Sequence, residues 1–466
     1  MSELILNKIE DLRWAAAGTT IRLRARIYTI RSNSNFCFVV LRQQWQTVQG
    51  IIYKRELGVD KFKEYSKMTT ESIIDIEAVT QHVEIPVKSC TIQHIELHII
   101  GINLISVATK LPIQPDERIY LPQRLSAEPI IDQVPEIESK LFTRLNHRTL
   151  DLRKADNKFI FRFQAAVSKI IRNYLENYDF MEIHTPKIIE TASEGGANVF
   201  KIDYFGKEAY LAQSPQFYKQ MAICGDFKRV YEIGSVFRAE KSFTHRHLTE
   251  YTGIDIEMEI EHNYHEVLNL LDRIFQHLFK QLVAQFGPQL EQFYRDFEVE
   301  PIKYATSIFC LTYAEAINLL RKNGIEIGDF EDMSTTQEKL LGHIIKEKYD
   351  VDLYVIDKFP TSIRPFYTMP SLDDPRYANA FDVFLRGEEI ISGSQRIHDH
   401  KMLLESATRH GVDQTKIAGY LESFEYATPP HGGAGIGLER LVMFYLGLNN
   451  IRNASLFPRD PNRLSP

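Results

Sequence analysis

The sequence predicts a small β-barrel followed by an α+β domain built on an antiparallel sheet flanked by helices. Three observations carry this expectation. The first hundred residues read as a succession of short strands. A proline-rich stretch then interrupts all periodicity. Beyond it, amphipathic helical segments punctuate strand-like ones without the regular alternation of a doubly wound sheet. At 466 residues the chain is too long for one ordinary core, so more than one domain is expected.

The barrel expectation rests first on TIRLRARIYTIR. Ile21, Leu23, Ala25 and Ile27 alternate with Arg22, Arg24, Arg26 and Tyr28, giving one apolar and one basic face. NFCFVVLRQQWQTVQGIIY continues with aromatic and β-branched residues, and strand-like runs recur at 72–79 and 92–104. Several short strands in about a hundred residues suggest an OB-fold. A basic face interleaved with aromatics suits single-stranded nucleic acid, and a plain β-domain with exposed arginines fits the same pattern. Residues 111–135 hold five prolines and read as a linker. The expected domains are therefore 1–110, the linker 111–135, and 136–466.

In the second domain, KFIFRFQAAVSKIIRNYLENY and HEVLNLLDRIFQHLFKQLVAQFG carry apolar residues at helical spacing. Between them, VYEIGSVFRAE and YTGIDIEMEI read as two strands joined by the polar loop KSFTHRHLTE. Ile254, Ile256, Met258 and Ile260 would share a buried face, and Tyr251, Gly253, Asp255, Glu257 and Glu259 a wet, acidic one. Antiparallel pairing would set Arg238 and Glu240 beside Tyr251 and Asp255. Such a floor suits a nucleotide, and an ordinary salt-bridged surface sheet fits it as well. Near the end, HGGAGIGLERLVMFYLGLNN runs a glycine-rich strand into a helix. Its GxGxG spacing, with 26 residues left after Arg440, leaves no room for a dinucleotide-binding βαβ unit. A P-loop is excluded because no GK[ST] follows.

Bulk properties exclude other classes. The four cysteines are widely spaced with no CxxC pair, which argues against a disulfide framework or zinc site and for a reducing, cytoplasmic setting. No uncharged apolar run approaches a membrane span, and the first residues lack the pattern of a secretory signal, so no membrane association is expected. The net charge of −7 is unevenly spread. Residues 1–110 carry 14 Lys+Arg against 11 Asp+Glu, and the remainder 41 against 51. Local charge decides phosphate binding, so nucleic acid stays open as a ligand of the first domain.

FRAE followed by RH, GxGxGxxR, and DFMEIHTPKI as a helix-then-strand ending in proline resemble, in order, motifs 2, 3 and 1 of the class II aminoacyl-tRNA synthetases. SEGGA, QSPQFYKQ, TGIDIEM, ISGSQRIHD and the terminal ASLFPRDPNRLSP are similar to the aspartyl-tRNA synthetases of the eukaryotic–archaeal type. The resemblance spans nearly the whole chain from about Ile21. It implies activation of L-aspartate with ATP, transfer to the 3′-hydroxyl of aspartate tRNA, a requirement for Mg²⁺, and a homodimer with Pro186 near its interface.

Residue by residue, the resemblance gives the following expectations. Arg238 and Arg440 are catalytic, Arg238 on the α-phosphate and Arg440 over the adenine and the γ-phosphate. Glu240 accepts from the adenine amino group, Tyr251 stacks on adenine, His247 meets phosphates, and Gly437 adjoins the nucleotide. Glu389 and Ser392 hold Mg²⁺. These must share one side of a strand although three apart, which demands a bulge or kink near Gly393. Arg396, helped by Lys219, takes the substrate carboxylate, while Ser193, Glu194, Gln216, Asp255 and Ser392 complete the aspartate site and the SEGGA loop closes over it. Phe38, Gln49 and Glu96 contact the anticodon; Ser242 and Thr244 meet the tRNA acceptor end. The alternatives are an asparaginyl-tRNA synthetase and a non-catalytic RNA-binding paralogue.

Overall fold

The computed structural model describes residues 6–114, 141–192 and 199–465. Most of the expected linker and the SEGGA loop, with Ser193 and Glu194, lie outside the described residues. The chain divides into two compact units, 6–114 with 141–158, and 159 onward.

The first unit is a closed five-stranded barrel. Its strands β1 (Thr20–Ser32), β2 (Phe36–Gln43), β3 (Gln46–Tyr53), β4 (Ile73–His82) and β5 (Ile95–Ser106) follow the order β1-β2-β3-β5-β4. All pairs are antiparallel except β3 with β5, whose parallel pairing closes the barrel. Ile21, Leu23, Ala25 and Ile27 face the core, as the alternation predicts. A short 3₁₀ helix, Ile9–Trp14, adds Ile9 and Leu12 to that core. The face of alternating arginines is not a bare basic stripe. Arg22 and Arg24 stand opposite Glu77 and Asp75 on β4. Arg24 donates to both Asp75 oxygens at 2.7 and 2.8 Å, and Arg22 lies 3.7 Å from Glu77. Residues 141–158, which sequence places with the second domain, group with the barrel. Arg153 donates to the buried Glu71 at 2.9 Å, and Arg42 donates to the Arg153 carbonyl.

The second unit is built on an eight-stranded sheet. Its strands are β6 (Met181–Glu182), β10 (Arg229–Phe237), β11 (Glu250–Glu259), β12 (Phe309–Thr312), β13 (Leu353–Asp357), β14 (Ala380–Leu385), β15 (Glu388–Gln395) and β16 (His431–Gly437). They lie in the order β12-β13-β14-β15-β16-β11-β10-β6, antiparallel throughout the middle and parallel only at the two outer pairs. Three short strands, β7 (Ile188–Ile189), β8 (Lys201–Tyr204) and β9 (Lys207–Leu211), form a separate sheet. DFMEIHTP, read as a strand, keeps only two strand residues before the exposed Pro186.

Helices Ala155–Glu176, His265–Phe297 and Leu438–Leu446 supply the apolar stripes packed against this sheet. The second runs ten residues past Gly287, through Pro288. A proline inside a helix costs a hydrogen bond. Here Phe286, Leu290 and Phe293 keep the stripe buried across it, and Phe159 lies 6.0 and 5.3 Å from the rings of Phe286 and Phe293.

Candidate active site

Strands β10, β11, β16 and β15 lie side by side and form the floor of a cavity of about 390 Å³. Their registers set Asp255 beside Gly435 beside Ser392, and Glu257 beside Gly433 beside Ser394. Glycine is required at 433 by space. A Cβ there would lie 2.1 Å from the Ile256 carbonyl oxygen and 2.2 Å from a Glu257 carboxylate oxygen. Gly433 therefore makes room for a neighbouring side chain, whereas Gly435 and Gly437 line the cavity itself.

At one end stand Arg238, Glu240, His247, Tyr251, Glu389, Gly437 and Arg440, all of them lining residues. β10 ends at Phe237, and the Arg238 amide donates to the Thr249 carbonyl at 2.9 Å, starting the loop. Its guanidinium lies 5.9 Å from the centre of the Tyr251 ring and 3.8 Å from Glu240. The expected pairing of Glu240 with Asp255 does not occur. Glu240 is already on the loop, and Asp255 stands opposite Glu232. Arg440 reaches across, its Nε donating to the Arg246 carbonyl and its Nη1 to the Glu389 carbonyl, both at 3.3 Å.

The loop is pinned from several sides. Arg246 donates to Glu338 at 2.8 Å and to Thr335 at 2.7 Å, and Arg452 donates to the Thr244 carbonyl at 3.0 Å. Ser242 and Thr244 do not line the cavity; their hydroxyls stand 3.3 and 2.6 Å from His247 Nδ1. Burial, together with Arg440, Arg246, His245 and Arg238, pushes the His247 pKa down to about 4, so its imidazole is neutral at pH 7.

Glu389 and Ser392 do face the same cavity, because β15 carries an extra residue. The register against β14 shifts so that Glu389 lies opposite Phe384 while Ile391 lies opposite Val383. The bulge falls at Ile390, three residues before Gly393, and turns Glu389 to the side of Ser392. Asp382 stands opposite Ser392 on β14. Burial and Glu389 push the Asp382 pKa up to about 6, although Arg364 donates to both its oxygens at 3.1 and 2.7 Å. Two carboxylates and a hydroxyl are oxygen donors suited to a hard cation. Among the described residues no cluster of three or more His, Cys, Asp or Glu could hold an ion alone. Such a donor set fits Mg²⁺, which ordinarily shares its shell with substrate phosphates and water.

The other end holds Lys219, Asp255 and Arg396 around Glu257. Lys219 donates to Asp255 at 3.0 Å and lies 3.3 Å from Glu257. Arg396 donates through Nε and Nη2 to the two Glu257 oxygens at 2.8 and 3.1 Å, and through Nη1 to Ser394 at 2.6 Å. Glu257 is completely buried; burial alone would raise its pKa, but Arg396 and Lys219 hold it below the usual carboxylate range. The acidic face of β11 is thus not wet. Asp255 and Glu257 are covered, by Lys219 from helix Gln216–Cys224 and by Arg396 just past β15.

Sequence reading missed four participants, Glu257, Ser394, Arg364 and Asp382, the last because nothing local in AFDVFL marks it as facing Ser392. Glu257 had a signal, since it sits two residues from Asp255 on an alternating strand. Ser394 had the same relation to Ser392. Arg364, in the loop before Pro365, had none. On the barrel, Phe38, Gln49 and Glu96 are half-buried on β2, β3 and β5. Gln49 stands beside Glu96 and donates to it at 2.5 Å. Phe36, Tyr53 and His98 extend the same aromatic surface, with ring centres 5.1 Å from Phe36 to Phe38 and 5.0 Å from Tyr53 to His98.

Comparison with known proteins places the chain in a family. The family described as tRNA synthetases class II (D, K and N) matches residues 140–461. The human protein named cytoplasmic aspartate–tRNA ligase is 46% identical over 464 residues, covering 99% of this chain and 91% of the relative. The solved aspartyl-tRNA synthetase of Entamoeba histolytica is 42% identical with a TM-score of 0.87, covering 100% of this chain and 93% of that one. The asparaginyl-tRNA synthetase of Pyrococcus horikoshii, solved with asparaginyl-adenylate, is 28% identical with a TM-score of 0.85 and covers 100% of both chains. Among the described residues, no helix is long and apolar enough to cross a membrane.

Proposed function

Because the chain belongs to the class II tRNA synthetases of the D, K and N type, we propose that its cavity binds ATP and L-aspartate side by side for the reaction it performs. The enzyme is an aspartate–tRNA ligase of the cytoplasm. It activates L-aspartate with ATP and transfers the aspartyl group to tRNA.

The observation that supports aspartate most directly is the tethering of Arg396. Three of its five N–H groups are held by Glu257 and Ser394. One N–H on each terminal nitrogen remains for a ligand, the geometry that receives a carboxylate by two parallel bonds. Lys219 and Arg396 offer donors only. An asparagine side chain would bring its own NH₂ donors against them and leave a buried group unsatisfied. Gln216 and Asp255, with Glu194, hold the amino group.

At the nucleotide end, Tyr251 stacks on adenine and Glu240 accepts from its amino group, with Gly437 leaving room for the nucleotide. Arg440 covers the opposite face of the base and reaches the γ-phosphate. The substrate α-carboxylate attacks the α-phosphorus and pyrophosphate leaves. Both reactants are anionic, so Arg238 on the α-phosphate offsets their repulsion and the charge that develops. Positioning replaces a protein nucleophile. The neutral His247 donates a hydrogen bond to phosphate without adding charge. Glu389 and Ser392, with Asp382 behind them, would hold Mg²⁺, which supplies charge neutralisation to the phosphates. The tRNA 3′-hydroxyl then takes the aspartyl group and AMP leaves.

Phe38, Gln49 and Glu96 read the anticodon through stacking and base-edge hydrogen bonds. Ser242 and Thr244, beside His247, lie on the loop nearest the incoming acceptor end. Helix Ala155–Glu176 and the edge strand β6, near Pro186, form the contact of a homodimer. The test is aminoacylation of purified aspartate and asparagine tRNAs with each amino acid. Aspartate on aspartate tRNA is the expected product; asparagine on asparagine tRNA would refute the reading.

A further inference from the structure

We propose that Gln220 and His431 are positioning residues that lock the Gln216 side-chain amide with its oxygen towards the cavity, making that oxygen the acceptor for the substrate's α-ammonium. The inference deepens the aspartate reading and rests on it for the identity of the ligand.

The lock starts at a carbonyl that can only accept. His431 Nδ1 lies 2.8 Å from the Pro429 carbonyl oxygen, so it must carry the proton. His431 is completely buried and not far from Arg396; burial pushes its pKa down to about 4, so the ring is neutral and Nε2 is left as an acceptor. Gln220 Nε2, 3.0 Å away and completely buried, supplies that acceptor with its N–H. The Gln220 oxygen therefore points the other way. It accepts from the Tyr420 hydroxyl at 3.1 Å and from Gln216 Nε2 at 2.8 Å. With its nitrogen so engaged, Gln216 presents Oε1 to the cavity it lines.

Each step fixes the next because a flipped amide would set donor against donor among groups buried from solvent. If the chain ran in reverse, the Gln216 NH₂ would face the cavity and repel an ammonium. An isolated glutamine flips at little cost and recognises cations and anions alike. This one is held through Gln220 on its own helix, which two buried groups on further segments fix in turn, Tyr420 of helix Ala418–Ser423 and His431 at the start of β16.

The test uses aspartate and succinate, which differ by the ammonium alone. In the full-length enzyme, Gln220→Met removes the lock while keeping the length of the side chain. The ratio of the succinate inhibition constant to the aspartate KM in ATP–pyrophosphate exchange is expected to shrink about ten-fold, the scale of one charge-assisted hydrogen bond. The KM for ATP is expected to stay unchanged. An unchanged ratio, or parallel weakening of aspartate, succinate and ATP, overturns the proposal in favour of a purely structural role. A second measurement depends on neither this variant nor the substrate. In ¹⁵N-histidine-labelled wild-type protein, with the signal assigned through His431→Gln, His431 is expected as the neutral Nδ1–H tautomer at pH 7. An Nε2–H or imidazolium form overturns the lock. Absence of aspartate-dependent exchange by the wild type would instead refute the aspartate reading, leaving the tautomer to decide the lock.

Discussion

Glu257 shows how one buried charge organises two others. Removing Arg396 would leave that carboxylate with Lys219 as its remaining cation, and breaking a buried pair in this way costs about 3–5 kcal/mol. Arg396→Leu would therefore lose aspartate activation and stability together. Arg396→Lys separates the two, since an ammonium keeps the charge but loses the fork. It is expected to fold, to lower kcat/KM for aspartate about 100-fold, and to leave the KM for ATP nearly unchanged in pyrophosphate exchange. Because Glu257 is held below its ordinary pKa of 4.5, its contribution to stability is present above that pH and is lost as the pH falls below it. Glu439 behaves in the opposite sense. Burial pushes it up to about 7, so the fold favours its protonated form and loses stability as pH rises from about 4.5 through 7. Glu439→Gln, which keeps an oxygen to accept from the Thr252 amide, is expected to raise Tm at pH 8 more than at pH 5. Equal shifts at both values would refute that origin.

At the level of elements, the glycines separate two physical roles. Gly433→Ala would drive a methyl group into the Ile256 carbonyl and the Glu257 carboxylate, and is expected to destabilise by about 3 kcal/mol or more. Gly419 lies in helix Ala418–Ser423 with nothing within 4 Å of a Cβ placed there. Gly419→Ala is expected to stabilise by about 0.5–1 kcal/mol in denaturant unfolding. Alternation made the barrel strands and β10 and β11 legible, because side chains on a strand change face at every residue; β13 and β14, buried at every residue, carry no alternation and were not legible. The strand-then-helix at His431–Leu446 was legible too. The burial of Asp255 and Glu257 was not, since alternation tells which residues share a face and not what covers it. Lys219 and Arg396 come from segments far away in the chain. The bulge was demanded by Glu389 and Ser392, but its place at Ile390 was not readable, because an apolar residue there fits either register. The cross-strand neutralisation of Arg22 and Arg24 depended on the pairing of β1 with β4, which no local pattern announces.

For the molecule as a whole, the two units are expected to separate in function. Phe38→Ala and Gln49→Ala are expected to raise the KM for tRNA by about ten-fold or more, on the scale of one lost stacked base, while leaving tRNA-independent pyrophosphate exchange intact. Equal losses in both assays would show that the barrel residues act through stability. A dimer is expected by sedimentation at micromolar concentration, and a monomer there would remove Pro186 and β6 from any interface. The central claim is that Lys219 and Arg396, braced by Glu257, select a side-chain carboxylate. ATP–pyrophosphate exchange by the wild-type enzyme, with aspartate and asparagine compared at equal concentration, tests it most directly. Aspartate is predicted to win by about 10³-fold or more in kcat/KM, as sites built around buried polar groups do; comparable exchange with asparagine would contradict it.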